Sequence, residues 1–213
     1  MQVKCFQVNP FMENTYVVYD RTRQAVIIDC GCLYREEEQA LEDFVRDEHL
    51  EIRHVINTHL HLDHQFGNHF ASQTFGVLPE AHREDESMIA GLPSQAMLFG
   101  IAERVTAQPL GAYLAENDII TFGQSSLKAI HVPGHSRGSL CFYAADAGMI
   151  FVGDVLFAGS IGRTDLPGGN HAQLISGIQS KLLVLPDATI VYAGHGTDTT
   201  IKRERDCNPF LQM

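Results

Sequence analysis

Apolar residues in this chain come in short bursts, and the bursts predict strands. Thr15–Tyr19, Ala25–Ile28, His54–Asn57, Ile119–Phe122, Ser126–Val132, Leu140–Tyr143, Met149–Val152 and Thr189–Tyr192 are each brief, apolar or β-branched, and bounded by Gly, Pro, Asn or Asp. Longer spacings predict helices between them. Arg35–Glu48 sets Ala40/Leu41 and Phe44/Val45 one turn apart on an acidic background, the pattern of a helix lying on a surface. Asn170 is placed to cap His171–Leu183, whose Leu174, Ile175, Ile178 and Leu182 form one stripe ahead of Pro186. Phe66–Phe75 is a shorter helix closed by Gly76, and Pro79 to Glu116 reads as helical or irregular. Strands and helices mix without a strict βαβ alternation, so the pattern predicts an α/β fold with mixed sheet order.

Composition narrows the picture. The 213 residues suit one domain with a sizeable core, and 45% hydrophobic with 19% charged residues is ordinary for a soluble globular chain. Lys+Arg 15 against Asp+Glu 26 leaves a net charge of −11, which argues against nucleic acid or an anionic membrane as partner. Met1 to Tyr19 is too polar for a signal peptide, and Asp154 interrupts the most apolar later stretch, so no membrane span is expected. Cys5, Cys30, Cys32, Cys141 and Cys207 form no CxxC pair, which suits reduced thiols and a cytoplasmic setting. No glycine-rich nucleotide motif is present. The 11 histidines in a chain without paired cysteines point instead to a metal site of nitrogen and oxygen donors.

Asn57 to His64 reads Asn-Thr-His-Leu-His-Leu-Asp-His directly after an apolar strand. His59, His61, Asp63 and His64 are four potential ligands in six residues, a costly crowd of polar groups at a strand end unless a cation holds them. Three more strand endings follow one scheme, a strand, a glycine and a ligand-type residue: Val-Pro-Gly-His at His135, Phe-Val-Gly-Asp at Asp154 and Tyr-Ala-Gly-His at His195. Glycine there lets the chain turn and approach closely. Imidazoles and carboxylates without thiolates suit zinc, iron or manganese in an open site.

The run Thr-His-Leu-His-Leu-Asp-His, with His135, Asp154 and His195 following in order, resembles the metallo-β-lactamase superfamily over nearly the whole chain. Asp at 154 and the run Gly-Asp-Val-Leu-Phe-Ala-Gly-Ser-Ile-Gly-Arg-Thr-Asp resemble its glyoxalase II (hydroxyacylglutathione hydrolase) branch, in the short bacterial form. The resemblance implies a single domain, residues 1–213, built as a four-layer αββα sandwich with no C-terminal glutathione-binding helical domain. It implies two divalent metal ions, zinc first: His59, His61 and His135 on one, Asp63, His64 and His195 on the other, Asp154 bridging. Asp29 would orient a ligand from behind. The family usually has Asp-Pro-Gly where this chain reads Asp29-Cys30-Gly31-Cys32; of a redox-active pair and small core residues, Cys30 and Cys32 read as the second.

The implied chemistry is hydrolysis of a small-molecule thioester of the S-lactoylglutathione kind, by attack of a metal-bridging hydroxide on the carbonyl, with Asp63 holding that hydroxide. Arg163 falls where the branch carries a basic residue that touches glutathione; its plainer reading is a surface partner of Asp165. Gly196-Thr197 stands where the longer enzymes have a substrate-contacting Tyr, and 18 residues follow His195. Lys202, Arg203 and Arg205 read as a solvated cationic face. The main rival is a mononuclear-iron oxidoreductase of the persulfide dioxygenase kind. A lactonase, a phosphodiesterase or a non-catalytic protein stapled by metal are further readings.

Overall fold

Strands buried on both faces dominate the computed structural model, which describes residues 1–212; Met213, the last residue of the expected domain, lies outside them. The first sheet runs in sequence order: β1 (Gln2–Val8), β2 (Glu13–Tyr19), β3 (Gln24–Ile28), β4 (Glu51–Ile56), β5 (Pro79–Ala81) and β6 (Ala112–Tyr113). Its first three strands pair antiparallel and the rest parallel. The second sheet begins with β7 (Ile119–Phe122), β8 (Ser125–His131), β9 (Leu140–Ala144) and β10 (Met149–Gly153). After a small hairpin of β11 (Leu156–Phe157) and β12 (Ser160–Ile161), β13 (Ile190–Ala193) joins parallel to β10, and β14 (Thr199–Thr200) closes the edge.

Period-two alternation sends successive side chains to opposite faces, and each face finds its own core. Tyr16, Val18, Val26 and Ile28 from the first sheet meet Phe122, Leu127, Phe142 and Phe151 from the second. A fully buried aromatic or aliphatic side chain of this kind contributes about 1.5–3 kcal/mol relative to exposure. The alternate residues Val17, Ile27 and Val55 pack outward on Leu41 and Val45 of α1 (Arg35–Asp47). Ile130, Val132, Ile150 and Val191 pack outward on Leu174, Ile178 and Ile201. The result is the expected four-layer αββα sandwich.

The helices form where apolar stripes meet caps. α1 carries Glu36, Glu37 and Glu38 in its first turn, where the helix dipole favours negative charge. α2 (Leu62–Gln65) is one turn inside the histidine motif, and α3 (Asn68–Phe75) ends at Gly76 in the left-handed region. α4 (Ser87–Leu98) occupies the middle section and buries Leu92 and Ala96 against Leu62 and Phe66. Asn170 caps α5 (His171–Gly177), its Oδ1 accepting from Gln173 N at 3.0 Å, and a wider turn continues the stripe through Leu182. α6 (Ile201–Cys207) follows β14. No helix among the described residues is long and apolar enough to cross a membrane.

The pattern read the strands to within a residue or two at most ends but missed several elements. β1 is an edge strand with Gln2, Lys4 and Cys5 exposed, so its apolar signal is weak and pairing with β2 makes it a strand. β5 and β6 are only three and two residues long. The cationic face expected at the end of the chain also needs correction. Lys202 pairs with Asp206 at 2.7 Å on the surface, and the half-exposed Arg205 is spent on Asp187 and on the carbonyls of Leu183 and Leu185 at 3.0 and 3.1 Å.

Gly134, just before His135, has φ +134°, and a Cβ there would lie 2.5 Å from Leu174 N and 2.7 Å from Asn170 O. The glycine is therefore what lets the strand end pass against the start of α5. Gly134→Ala is expected to destabilise the protein by roughly 2–4 kcal/mol in urea unfolding, through strain and overpacking; a change under about 0.5 kcal/mol contradicts this reading.

Candidate metal centre

Every sequence-derived candidate ligand converges at one edge of the two sheets. β4 delivers the turn carrying His59 and His61, and α2 carries Asp63 and His64. The ends of β8, β10 and β13 bring His135, Asp154 and His195 from the opposite sheet. His59, His61 and His135 form one group with donor atoms within 4.8 Å of one another, and Asp63, His64 and His195 form a second. Asp154 lies between the groups: its Oδ2 is 3.6 Å from His135 Nε2 and 3.7 Å from His195 Nε2, while its Oδ1 is 3.5 Å from His64 Nε2.

Four imidazoles are locked so that Nε2 faces inward. His64 Nδ1 donates to Asp29 Oδ2 at 3.1 Å, and His59 Nδ1 lies 3.1 Å from Thr58 Oγ1. His135 Nδ1 donates to the carbonyl of Arg163 at 2.8 Å, and His195 Nδ1 to the carbonyl of Phe11 at 3.1 Å. Carbonyl and carboxylate oxygens only accept, so each of those bonds places a proton on Nδ1 and makes Nε2 the nitrogen available to a cation. Asp29 is itself held: Oδ1 accepts from Thr58 N and Oδ2 from Thr58 Oγ1, both at 2.6 Å. Because that hydroxyl proton goes to Asp29, Thr58 Oγ1 presents a lone pair to His59.

These residues fit a bound divalent cation. His64 Nε2 and Asp154 Oδ1 are buried with no hydrogen-bond partner, an expensive arrangement for a nitrogen and a carboxylate oxygen on their own. His59 Nε2 and His135 Nε2 stand 3.2 Å apart, and two donors each about 2.1 Å from a tetrahedral ion are separated by about 3.4 Å. The electrostatics agree. Burial and the neighbouring imidazoles hold His59 below its usual pKa and push His61 down to about 4, and burial also holds His135 low, so these three present neutral lone pairs. Burial opposes charge on His64 too, but Asp154, Asp63 and Asp29 outweigh it and carry its pKa well above the usual value. His195 is raised against burial by Asp63, 3.2 Å away, and by Asp154. In the metal-free protein, protons on these two imidazoles answer the carboxylate field that a cation would otherwise satisfy.

The glycines preceding the ligands are explained by crowding. A Cβ on Gly194 would lie 2.7 Å from His64 Cε1 and would also collide with the Asp154 carboxylate. Arg163, by contrast, contributes its carbonyl to His135 while its guanidinium forms two bonds with Asp165, 2.8 and 2.7 Å, on the surface. Cys30 and Cys32 are buried in the outer core against α1, as their small size suggested. Sequence reasoning missed Thr58, the Phe11 and Arg163 carbonyls, and Glu13. Glu13 is fully buried 3.8 Å from His64 Nδ1. Burial, reinforced by Asp29 and Asp63 against the pull of His64, pushes its pKa well above the carboxylate range. Thr15 Oγ1 stands within hydrogen-bond reach of both Glu13 Oε2, at 2.8 Å, and the Asp29 carbonyl, at 2.7 Å, and so ties Glu13 to the backbone of Asp29. Nothing in the sequence around Glu13 marks it, because its neighbours read as an ordinary strand.

Asp29→Asn keeps the shape but offers one acceptor where Thr58 and His64 need two oxygens. Metal affinity, measured by competition with a chromophoric chelator, is expected to fall about 10- to 100-fold; an unchanged affinity overturns the orienting role. The raised His64 and His195 pKa values give a sign for pH. A cation must displace those protons, so affinity for the metal-free protein is expected to rise from about pH 6 to about pH 8 with proton release; an affinity that is flat or falls over that range contradicts it.

Comparison with known proteins places this geometry. Residues 8–195 match the family model of the metallo-beta-lactamase superfamily. The chain is 35% identical to the hydroxyacylglutathione hydrolase GloC of Haemophilus influenzae, over 99% of this chain and 98% of that one. Among solved structures, BLEG-1 B3 metallo-beta-lactamase is similar with a TM-score of 0.90 and 36% identity, each chain covered in full. TTHA1623, solved in a di-iron-bound form, is similar at 0.86 and 32%, over 98% of this chain and 100% of that one. With its sandwich fold, its strand-end histidines and these matches along its length, the chain belongs to the metallo-beta-lactamase superfamily.

Proposed function

We propose that the protein is a dinuclear metallo-hydrolase that cleaves thioesters. The observation that carries the reading is the placement of Asp154, one oxygen facing both His135 and His195 and the other buried without a partner. His59, His61 and His135 would hold one divalent cation and Asp63, His64 and His195 the other, with Asp154 shared. Zinc fits such donors, and so does iron, which a similar protein was solved with. Cations held there supply Lewis acidity, lowering the pKa of water and polarising a carbonyl oxygen.

The chain's own residues supply position and charge. Asp63, within reach of His195 Nε2 and held ionised by His64 and His195 despite its burial, accepts a hydrogen bond from the attacking water and orients it. The Nδ1 bonds keep four imidazoles from turning, so the donors need little reorganisation during the reaction. A thiol leaving group ionises near pH 8.5, far below an alcohol, so its departure needs little help from a general acid. That favours thioesters over esters at a site whose carboxylates are held ionised. Cys30, Cys32 and Cys141 are buried away from solvent, which argues against a covalent thiol route. The similarity to a hydroxyacylglutathione hydrolase supports S-lactoylglutathione as the first substrate to try.

Metal analysis of protein purified without added metal, together with S-lactoylglutathione hydrolysis, tests the reading. Two divalent ions per chain and measurable turnover are expected, and Asp63→Ala is expected to lower kcat by at least about 100-fold. One iron per chain, oxygen uptake with glutathione persulfide and no thioester turnover would replace the hydrolase with the oxidoreductase alternative. Full hydrolysis by Asp63→Ala would remove the role given to Asp63.

A further inference from the structure

Building on the hydrolase reading, we infer that the substrate carries an apolar acyl group, seated in a cavity beside the metal centre. The cavity holds about 380 Å³, within the range of small-ligand sites. His61, Asp63, His135 and Asp154 line one end, and Phe11, Leu62, Met88, Phe99 and Leu166 form its apolar walls. A carbonyl reacting at the centre therefore directs one of its two substituents along these walls.

The walls are poorly matched to water. Phe99 is 61% exposed at the end of α4, and its ring meets Phe11 edge-on with centroids 5.5 Å apart. Phe11 in turn packs near Phe66, at 6.3 Å, which fixes this wall to the core. A hydrocarbon chain covering such rings is favoured by removal of apolar surface from water. The polar groups do not suit the thiol half of a glutathione thioester, which carries carboxylates that want cations. Apart from the histidines of the centre, Arg163 is the only cationic side chain lining the cavity among the described residues, and Asp165 already engages it through two bonds. Selectivity thus resides in the acyl side, while the charged thiol portion lies toward solvent.

Phe11 gives the cavity a link to the centre. Its ring is a wall and its carbonyl accepts the bond from His195 Nδ1. An acyl chain that packs on Phe11 therefore steadies the residue that orients His195.

The test uses non-hydrolysable thioethers, so it reads binding apart from catalysis. Calorimetry with the metal-loaded protein compares S-methylglutathione with S-hexylglutathione. Each buried methylene is worth about fourfold in affinity, and with part of the chain left wet the hexyl compound is expected to bind at least about 30-fold tighter. Met88→Asn and Phe99→Asn, at positions that are not fully buried, are expected to cut that ratio below about tenfold. Equal binding of the two thioethers, or a ratio unchanged in both variants, overturns the inference. Hydrolysis of acetyl and hexanoyl glutathione in the same samples separates the two readings. Hydrolysis without chain-length discrimination in either assay keeps the hydrolase and removes the apolar acyl site; discrimination in binding without hydrolysis keeps the site and removes the hydrolase.

Discussion

Everything at the sheet edge depends on one constraint: imidazoles, three of them buried and His195 half-buried, whose outer nitrogens are already spoken for. Asp29, Thr58 and the carbonyls of Phe11 and Arg163 engage Nδ1 of His64, His59, His195 and His135. The Nε2 lone pairs then converge with the carboxylates of Asp63 and Asp154, which stay ionised despite burial because the histidines beside them are so close. Packed apolar residues would not leave such groups unpaired, since each unsatisfied buried polar atom costs on the order of 1–3 kcal/mol. A cation would answer the same carboxylate field that protons on His64 and His195 answer in its absence.

The sandwich makes this arrangement possible. Its inner core, from Tyr16 and Ile28 across to Phe142 and Phe151, fixes the spacing of the two sheets and so the distance between ligands that come from different sheets. The first sheet contributes the histidine motif as a continuation of β4, and the second contributes one candidate ligand after each of β8, β10 and β13. Because β10 and β13 are parallel neighbours, Asp154 and His195 leave the sheet at the same end. The supporting network reaches further than the ligands, through Thr15 and the buried Glu13 behind Asp29.

Side-chain identity carried most of the centre into the sequence, and backbone geometry hid the rest. His59, His61, Asp63, His64, His135, Asp154 and His195 were legible because four ligand-type residues in six, joined by three further strand-Gly-ligand endings, do not coincide by accident. Asp29 was legible only through resemblance. The carbonyls of Phe11 and Arg163 were not, since any residue carries a carbonyl and only the fold aims it. Arg163 shows the difference sharply: its side chain drew attention, but its guanidinium is engaged by Asp165 and its carbonyl holds His135. For the fold, β2 to β4 announced themselves by continuous apolar runs, whereas β1 is a polar edge whose partner makes it a strand. Within the middle section, α4 runs through Pro93, a residue that argues against a helix until packing of Leu92 and Ala96 outweighs it.

The most direct test of the shared-carboxylate centre is anomalous diffraction from crystals of the metal-loaded protein, recorded at the absorption edge of the metal found by analysis. Two peaks are expected, one among His59, His61 and His135 and one among Asp63, His64 and His195, with Asp154 touching both. A single peak at full loading, or two peaks with Asp154 on only one of them, contradicts the dinuclear centre.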